Sequence, residues 1–198
     1  MMQSDMSYTT LQKIADIRAG YPFREVVQDD PNGDAAVIQV KNVDEIDGIQ
    51  WKEVVRTNLT GRRLPDWLEK GDILFAARGQ RNFAVALDDL DHPTVCTPHF
   101  FRVHIRRDEP VLPDYLAWFI NQAPAKHYFR KSAEGSLVRS IRKDVLGKLN
   151  VAIPPVEEQR TIVQLLETLK QEQRLLQRME ENSRHLMNTI ANRILKQG

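Results

Sequence analysis

The sequence holds a single cysteine, Cys96, and no run of apolar residues long enough to span a membrane. One cysteine cannot form a disulfide within the chain, which is typical of a reducing compartment. A spanning helix would need about 18 to 20 mostly apolar residues in succession. The opening stretch MMQSDMSYTT also lacks the basic and apolar regions of a signal peptide. These absences predict a cytoplasmic protein with no membrane partner.

Motifs of several nucleic-acid enzymes are missing as well. The only adjacent prolines, Pro154 and Pro155, are neither preceded by Asn, Asp or Ser nor followed by an aromatic residue, so the amino-methyltransferase tetrapeptide is absent. No lysine has Asp or Glu two residues before it, which excludes the D/E-x-K element of a common nuclease core. No phosphate loop of the GxxxxGK[ST] type occurs. We therefore expect no catalytic residue and no cofactor.

The stretch HPTVCTPH places His92, Cys96 and His99 close together. A structural zinc ion needs four ligands, and the sequence has no second pair to complete the set. A cysteine nucleophile would need a base held beside it. Because Cys96 falls on an apolar strand pattern, we expect a buried, inert thiol and no metal site. A small enzyme that uses Cys96 and a histidine is the alternative.

The formal net charge of +1 is unevenly distributed. Basic and acidic residues number 9 and 13 in residues 1–77, 12 and 8 in residues 78–150, and 7 and 6 in residues 151–198. Within residues 126–143, Glu134 is the only acidic residue. The basic residues of this stretch are Lys126, Arg130, Lys131, Arg139, Arg142 and Lys143. Such a patch attracts a polyanion even when the whole chain is nearly neutral, although a solvated face without function is also possible.

The hydrophobic pattern predicts an α+β domain over residues 1–153, with strands first and helices later. TTLQKIADIRAG has a short helical pattern that ends at Gly20. Apolar runs at 73–77 and 83–87 flank RGQRN, a loop of hairpin length. From Pro113 the period becomes helical, and Pro124 must kink or end the first helix.

Residues 154–198 predict one long helix, because no glycine or proline interrupts the pattern between Pro155 and Gly198. A four-three repeat of seam positions can be traced along it, broken by polar residues at Gln173, Glu180 and Ser183. The apolar seam positions are Ile162, Leu166, Leu169, Leu176, Met187, Ile190 and Ile194. A free helix would expose this stripe to water, so we expect a coiled coil with a partner.

Three polar-basic loops are candidates for double-stranded DNA. RGQRN supplies side chains that can grip base edges through two parallel hydrogen bonds: Arg78, Gln80, Arg81 and Asn82. GSLVRSIRK supplies hydroxyls and cations that suit phosphates: Ser136, Arg139, Arg142 and Lys143. TNLTGRR is a third loop of similar kind, with Asn58, Arg62 and Arg63. The three tryptophans lie on apolar patterns and are expected in the core: Trp51, Trp67 and Trp118.

Three stretches, GDILFAARG, PDYLAWFIN and GSLVRSIRKDVLGKLNVAIPPVEEQRTIV, resemble the DNA-specificity subunits of type I restriction-modification enzymes. The junction PPVEEQRTIV is the most specific part. The resemblance implies a target recognition domain followed by a spacer helix. Subunits of that family usually carry two of each, whereas this chain resembles one half.

The resemblance also implies partners. Two copies would pair their helices antiparallel into a homodimer that rebuilds a full subunit. That dimer would direct an adenine methyltransferase subunit, together with an ATP-dependent restriction subunit where one exists, to a bipartite site. The alternative is a helix-mediated scaffold or inhibitor of such a complex that does not bind DNA itself.

Overall fold

The computed structural model describes residues 6–61, 64–79, 81–132 and 139–195. The chain divides into two compact units, Met1–Arg160 and Thr161–Gly198. The described part combines short strands, short helices and one long helix. The predicted α+β class with a long C-terminal helix is thereby confirmed.

The elements up to the long helix are β1 (Ser7–Thr10), α1 (Leu11–Ile14), β2 (Ala15–Ala19), β3 (Ala35–Ile38), β4 (Val43–Asp44), β5 (Gly48–Ile49), β6 (Val55–Thr57), β7 (Ile73–Ala76), β8 (Arg78–Gly79), β9 (Ala84–Ala86), β10 (Thr94–Cys96), β11 (Phe100–Ile105), α2 (Pro113–Asn121), α3 (Ala123–Ser132), β12 (Arg139–Ser140), α4 (Lys143–Gly147) and β13 (Asn150–Ile153). Short 3-10 helices cover Val40–Asn42 and Trp51–Glu53. The long helix is α5 (Val156–Leu195).

The central sheet has the order β2-β11-β7-β9, and every neighbouring pair is antiparallel. The apolar run of β7 is buried along its whole length, as expected for a strand with structure on both faces. The hairpin predicted between the apolar runs at 73–77 and 83–87 is present as β7 and β9.

The helical pattern predicted up to Gly20 is wrong beyond Ile14. Ala15–Ala19 forms β2, in which Ile17 is buried while Asp16 and Arg18 are exposed. That alternation has the period of a half-buried strand. Because these residues pair with β11, they form a strand and do not continue the helix of the preceding residues.

A second sheet has the order β10-β3-β6 and contains a parallel pair, β3 with β10. A separate antiparallel ladder joins β1 to β13, with Ser7 opposite Ile153 and Thr10 opposite Asn150. The first described strand and the last strand of this unit are therefore neighbours.

One core cluster includes Phe100 and Leu74, and Tyr21, Val37 and Val95 form a second cluster.

The junction between helices α2 and α3 contains a proline. α2 ends at Asn121, and α3 begins at Ala123 with Pro124 in its first turn, so the predicted break is confirmed.

The core placement predicted for all three tryptophans is wrong for two of them. Trp51 is 44% exposed and Trp67 is 38% exposed, because both lie in connections that run over the surface.

Gln159 fixes the first turn of α5 to the domain. Its side chain is fully buried, and Oε1 accepts a hydrogen bond from Leu112 N at 2.9 Å. Nε2 donates to Pro110 O at 2.7 Å and to Pro154 O at 2.8 Å. All three partners are backbone groups next to prolines or in a connection, where no regular ladder satisfies them. Gln159, the glutamine of PPVEEQRTIV, therefore connects three segments by hydrogen bonds: the residues after β13, the residues before α2 and the first turn of α5.

The long helix spans 40 residues, which corresponds to about 60 Å. Its apolar side chains are largely exposed in the single chain: Leu169, Leu176, Met187 and Ile190 are each at least 45% exposed, and Ile162 and Leu166 are partly buried. The side chain of Ile194 lies outside the described residues. No described helix has both the length and the apolar character that crossing a membrane requires.

Candidate nucleic-acid interface

The loop RGQRN lies at the tip of the β7–β9 hairpin. Ala76 N donates to Phe83 O at 2.8 Å and closes the stem, while Arg78 and Arg81 are exposed at the tip. Gly79 has a φ of +145°, a conformation that side-chain-bearing residues rarely adopt. The tip therefore depends on glycine for its shape. Gln80 lies outside the described residues.

Asn82 has a structural contact within the same hairpin. Its Nδ2 donates to Ala76 O at 2.8 Å, and the side chain is half-buried. One of its amide N–H groups is thus used to hold the loop closed. Its predicted role as a base reader stays a prediction, and the structure adds a role in shaping the tip.

The segment 139–143 runs directly beside this tip. Arg139 pairs with Gly79 and Ser140 with Arg78 in the β8–β12 ladder. Ile141 N then donates to Ala77 O at 2.9 Å, and the Ile141 side chain is buried. Two candidate loops that are about sixty residues apart in sequence therefore form one surface. Ser136 and the side chain of Arg139 lie outside the described residues.

Basic side chains occur in the segment after β12 and at the end of α3. Arg142 and Lys143 are exposed where β12 leads into α4, and Arg142 Nε lies 3.6 Å from Asp144 Oδ1. Arg130 and Lys131 are exposed at the end of α3. Lys126 differs from them, because its Nζ lies 2.6 Å from Glu45 Oε1 and its charge is paired.

A groove of about 610 Å³ adjoins α4 and contains both signs of charge. Arg142 and Lys143 line it together with Asp16 and Arg106. Arg106 donates to Asp16 at 2.9 Å, and this hydrogen bond lowers the pKa of the Asp16 carboxyl. The carboxylate therefore stays ionised and offsets part of the positive charge of the groove.

The third candidate loop has a different environment. Asn58 Nδ2 donates to Asp30 Oδ2 at 2.8 Å, and Asn58 Oδ1 accepts from Asp34 N at 3.2 Å. Asn58 follows β6 at the edge of the second sheet and holds an acidic loop in place. Arg62 and Arg63 lie outside the described residues. The described contacts thus give Asn58 a structural part, and they do not join this loop to the β8–β12 ladder.

Sequence reasoning missed a buried ionic cluster on the central sheet. Asp72 is fully buried, with Oδ2 at 2.6 Å from Arg102 Nε and Oδ1 at 2.7 Å from His104 Nδ1. Its Oδ2 also accepts from Glu69 N at 2.7 Å, which stabilises the turn before β7. The alternation of Arg102 and His104 along β11 was a signal for a polar face, but nothing in the sequence joined them to Asp72.

Cys96 lacks the environment of a nucleophile. The side chain is 2% exposed, and burial raises the pKa of its thiol to about 12, so the thiol is protonated at neutral pH. His92 and His99 are exposed at the surface. Among the described residues, no group of three or more His, Cys, Asp or Glu side chains could hold a metal ion.

The fold, which has a strand-rich domain and a long helix, is similar to that of subunits from type I restriction-modification systems. The structure is similar to the type I restriction-modification S subunit from M. genitalium, with a TM-score of 0.59 and 13% identity over 86% of this chain and 40% of that one. It is similar to a chain from a structure described as the basis of complex assembly and conformational transition of the type I R-M system, with a TM-score of 0.64 and 18% identity over 90% of this chain and 41% of that one. The structure is also similar to the HsdS subunit from Thermoanaerobacter tengcongensis, with a TM-score of 0.59 and 16% identity over 88% of this chain and 44% of that one.

The family is established by sequence. The family model described as the type I restriction modification DNA specificity domain matches residues 3–182, and the chain belongs to that family. The chain spans less than half the length of the three similar structures. No curated protein matches it.

Proposed function

We propose that this chain is a non-catalytic DNA-recognition module, in which residues 78–82 read base edges and residues 139–143 contact phosphates. The observation that carries the proposal is the β8–β12 ladder, which joins the two loops into one exposed surface. Base readers need fixed geometry relative to the DNA backbone, and phosphate contacts on the neighbouring strand provide that register.

The two groups of side chains should respond differently to substitution. Arg142→Ala and Lys143→Ala should weaken binding to all duplexes alike and reduce the salt dependence, because each phosphate contact releases counterions. Arg81→Ala and Gln80→Ala should change the preference at one base pair by about 1 to 3 kcal/mol.

Lys70→Ala is a matched control for charge removal. Lys70 is exposed, pairs with Asp89 at 2.7 Å, and precedes β7 at the end of the hairpin opposite to Arg78. Its removal changes the net charge equally and should leave DNA affinity nearly unchanged. Identical behaviour of the readers and the phosphate contacts would contradict the assignment, and absence of DNA binding would favour a scaffold or inhibitor.

The chemistry on DNA is assigned to partners. We propose that an adenine methyltransferase binds this module and brings S-adenosylmethionine, and that any ATP-dependent restriction subunit brings its own nucleotide. Mapping methylated adenines in cells that carry this chain and its proposed partner methyltransferase would test the partnership. A methylation pattern that is unchanged by deletion of this chain would refute it.

We further propose a homodimer through α5. In a parallel pair aligned in register, Glu180 of each copy would occupy the same seam layer, and two like carboxylates would repel each other. An antiparallel pair centred near residue 178 instead places Leu166 opposite Ile190, Leu169 opposite Met187 and Gln173 opposite Ser183. Gln173 and Ser183 then meet each other, the two Glu180 carboxylates are separated because each faces Leu176, and the other exposed apolar seam residues are covered by the second copy.

Engineered cysteines test this register. The native Cys96 will not compete, since it is buried with a thiol pKa of about 12. In the antiparallel pair a Gln173→Cys, Ser183→Cys double variant should form disulfide-linked dimers, and an equal mixture of the two single variants should link to each other. Neither single variant should link to itself, because the two copies of residue 173 would lie about 15 Å apart along the axis.

Each alternative gives its own result. A parallel dimer would link through either single cysteine alone. A monomer would give no linked species in any sample, and light scattering would then show one chain at all concentrations. Either outcome would overturn the antiparallel homodimer without bearing on the DNA surface.

A further inference from the structure

Strand β9 forms the open edge of the central sheet, and Ala84 is one of its residues that face outward. In an antiparallel ladder, residues alternate between facing the neighbouring strand and facing away. Ala76 N donates to Phe83 O and Leu87 N donates to Asp72 O, so Phe83 and Leu87 face β7. Ala84 must then direct its N–H and C=O toward the open edge. Because Ala84 is 2% exposed, water does not satisfy these groups.

Asn121 supplies both missing partners. Its Oδ1 accepts from Ala84 N at 2.8 Å, and its Nδ2 donates to Ala84 O at 2.8 Å. The planar amide thus provides the donor and acceptor that a further strand would provide. As the last residue of α2, Asn121 connects a packed helix to a single residue of the edge strand.

The position of Ala84 gives this contact a second consequence. Ala84 is two residues after Asn82, and it directly follows Phe83, whose O accepts from Ala76 N at 2.8 Å, so the Asn121 contact adds a second attachment on the C-terminal side of the RGQRN loop. The N-terminal side of the loop is fixed separately, because Ala77 N donates to His99 O at 2.8 Å and Ile141 N donates to Ala77 O at 2.9 Å. The relative placement of Arg78 and Arg81 therefore depends on both attachments.

We propose that Asn121 is a positioning residue for DNA reading, because it fixes the C-terminal side of the 78–82 loop through Ala84. The inference rests on the proposed reading role of that loop. Paired hydrogen bonds to base edges require placement within about 0.5 Å, whereas attraction to phosphates acts over several ångströms. Release of this attachment should therefore reduce sequence discrimination more than overall affinity.

The test uses the full chain and a pool of DNA duplexes with randomised base pairs, from which bound duplexes are sequenced. The preferred sequence is then compared with an unselected duplex for affinity and salt dependence. Asn121→Ala removes both hydrogen bonds. Asn121→Asp keeps the acceptor for Ala84 N and the size of the side chain, but cannot donate to Ala84 O. For each variant we expect about a tenfold loss of preference for the selected sequence, with an unchanged salt slope.

Gln122→Ala is the matched control. Gln122 is the next residue, also carries an amide, and donates to Trp118 O of α2 at 2.9 Å, a hydrogen bond that does not involve β9. Its loss should lower the melting temperature and leave discrimination intact. An equal loss of discrimination in Gln122→Ala would attribute the effect to a loosened helix and overturn the proposal.

The remaining outcomes also decide the matter. Folded Asn121 variants that keep full discrimination would overturn the positioning role while leaving the reading role in place. If Asn121→Ala fails to fold, Asn121→Asp provides the comparison, and failure of both to fold would assign Asn121 to the fold alone. If the unsubstituted chain selects no sequence, the reading role itself is wrong and this inference fails with it.

Discussion

Replacement of Gln159 by alanine should destabilise the Met1–Arg160 unit by about 3 to 6 kcal/mol. The substitution leaves Leu112 N without an acceptor and deprives Pro110 O and Pro154 O of a donor; the Gln159 side chain has no exposure to water, whereas the bonds to Leu112 and Pro110 are part-buried. Each buried group left unpaired costs about 1 to 3 kcal/mol, and partial relaxation reduces the sum. Since small domains are stable by about 5 to 15 kcal/mol, this is a large fraction of the total.

Urea denaturation followed by tryptophan fluorescence measures this effect, because all three tryptophans lie in the first unit. Gln164→Ala is the control: Gln164 is exposed on the same helix, and its loss should change the free energy of unfolding by less than about 0.5 kcal/mol. A loss below about 1 kcal/mol for Gln159→Ala, with an unchanged denaturant slope, would refute the reasoning.

Gln159→Glu adds a dependence on pH with a defined sign. A carboxyl buried at this position should have a raised pKa, since burial disfavours its charged form. The folded state then holds the proton more tightly than the unfolded state, whose pKa is about 4.3. The stability of the variant relative to the unsubstituted protein should be greatest below about pH 4 and should fall as the pH rises above that value. A relative stability that increases with pH over this range would contradict the buried geometry.

Three further predictions concern other parts of the molecule. Cys96 should not react with a disulfide reagent at pH 8 until the protein is unfolded in denaturant, because burial keeps its thiol protonated; rapid reaction of the native protein would show that the site is open. Asp72→Asn should reduce the free energy of unfolding by about 3 kcal/mol, since it leaves the largely buried Arg102 with only the exposed Glu69 carboxylate, 3.8 Å away, as a counter-charge, and a neutral result would mean that water enters the cluster. A homodimer should direct methylation to an inverted repeat with a spacer of fixed length, and one added base pair should sharply reduce methylation; an asymmetric motif would require a second, different specificity chain.

The local pattern of the sequence was sufficient for elements whose neighbours are close in the chain. The β7–β9 hairpin, the break at Pro124 and the helix after Pro155 follow from strand-length apolar runs, proline chemistry and an uninterrupted helical period. At Ala15–Ala19 the same reasoning failed, because a helical spacing merged into a strand alternation and pairing with β11, some eighty residues away, decided the structure.

The candidate site shows the same division. Composition identified RGQRN and the 139–143 segment as polar and basic, yet nothing in the sequence indicated that Gly79 pairs with Arg139. Asn82, Asn58 and Asn121 carry the same amide group, and only the three-dimensional structure shows which backbone groups each one contacts. A side chain that can pair with a base can equally pair with the backbone of its own protein.

The ladder between β1 and β13 brings the chain into the domain and out of it at one place. A polypeptide that enters at Ser7 and leaves after Ile153 travels through every loop of the domain and returns to its starting point. The loops of the β8–β12 surface can therefore vary in length and sequence without displacing the segment in which Gln159 fastens α5. The domain is in this sense an interchangeable cassette: exchanging everything between the two closing strands for the equivalent part of another specificity domain should install new loops while preserving the closure, and it should keep the junction to the helix where the incoming part supplies backbone groups equivalent to Pro110 O and Leu112 N.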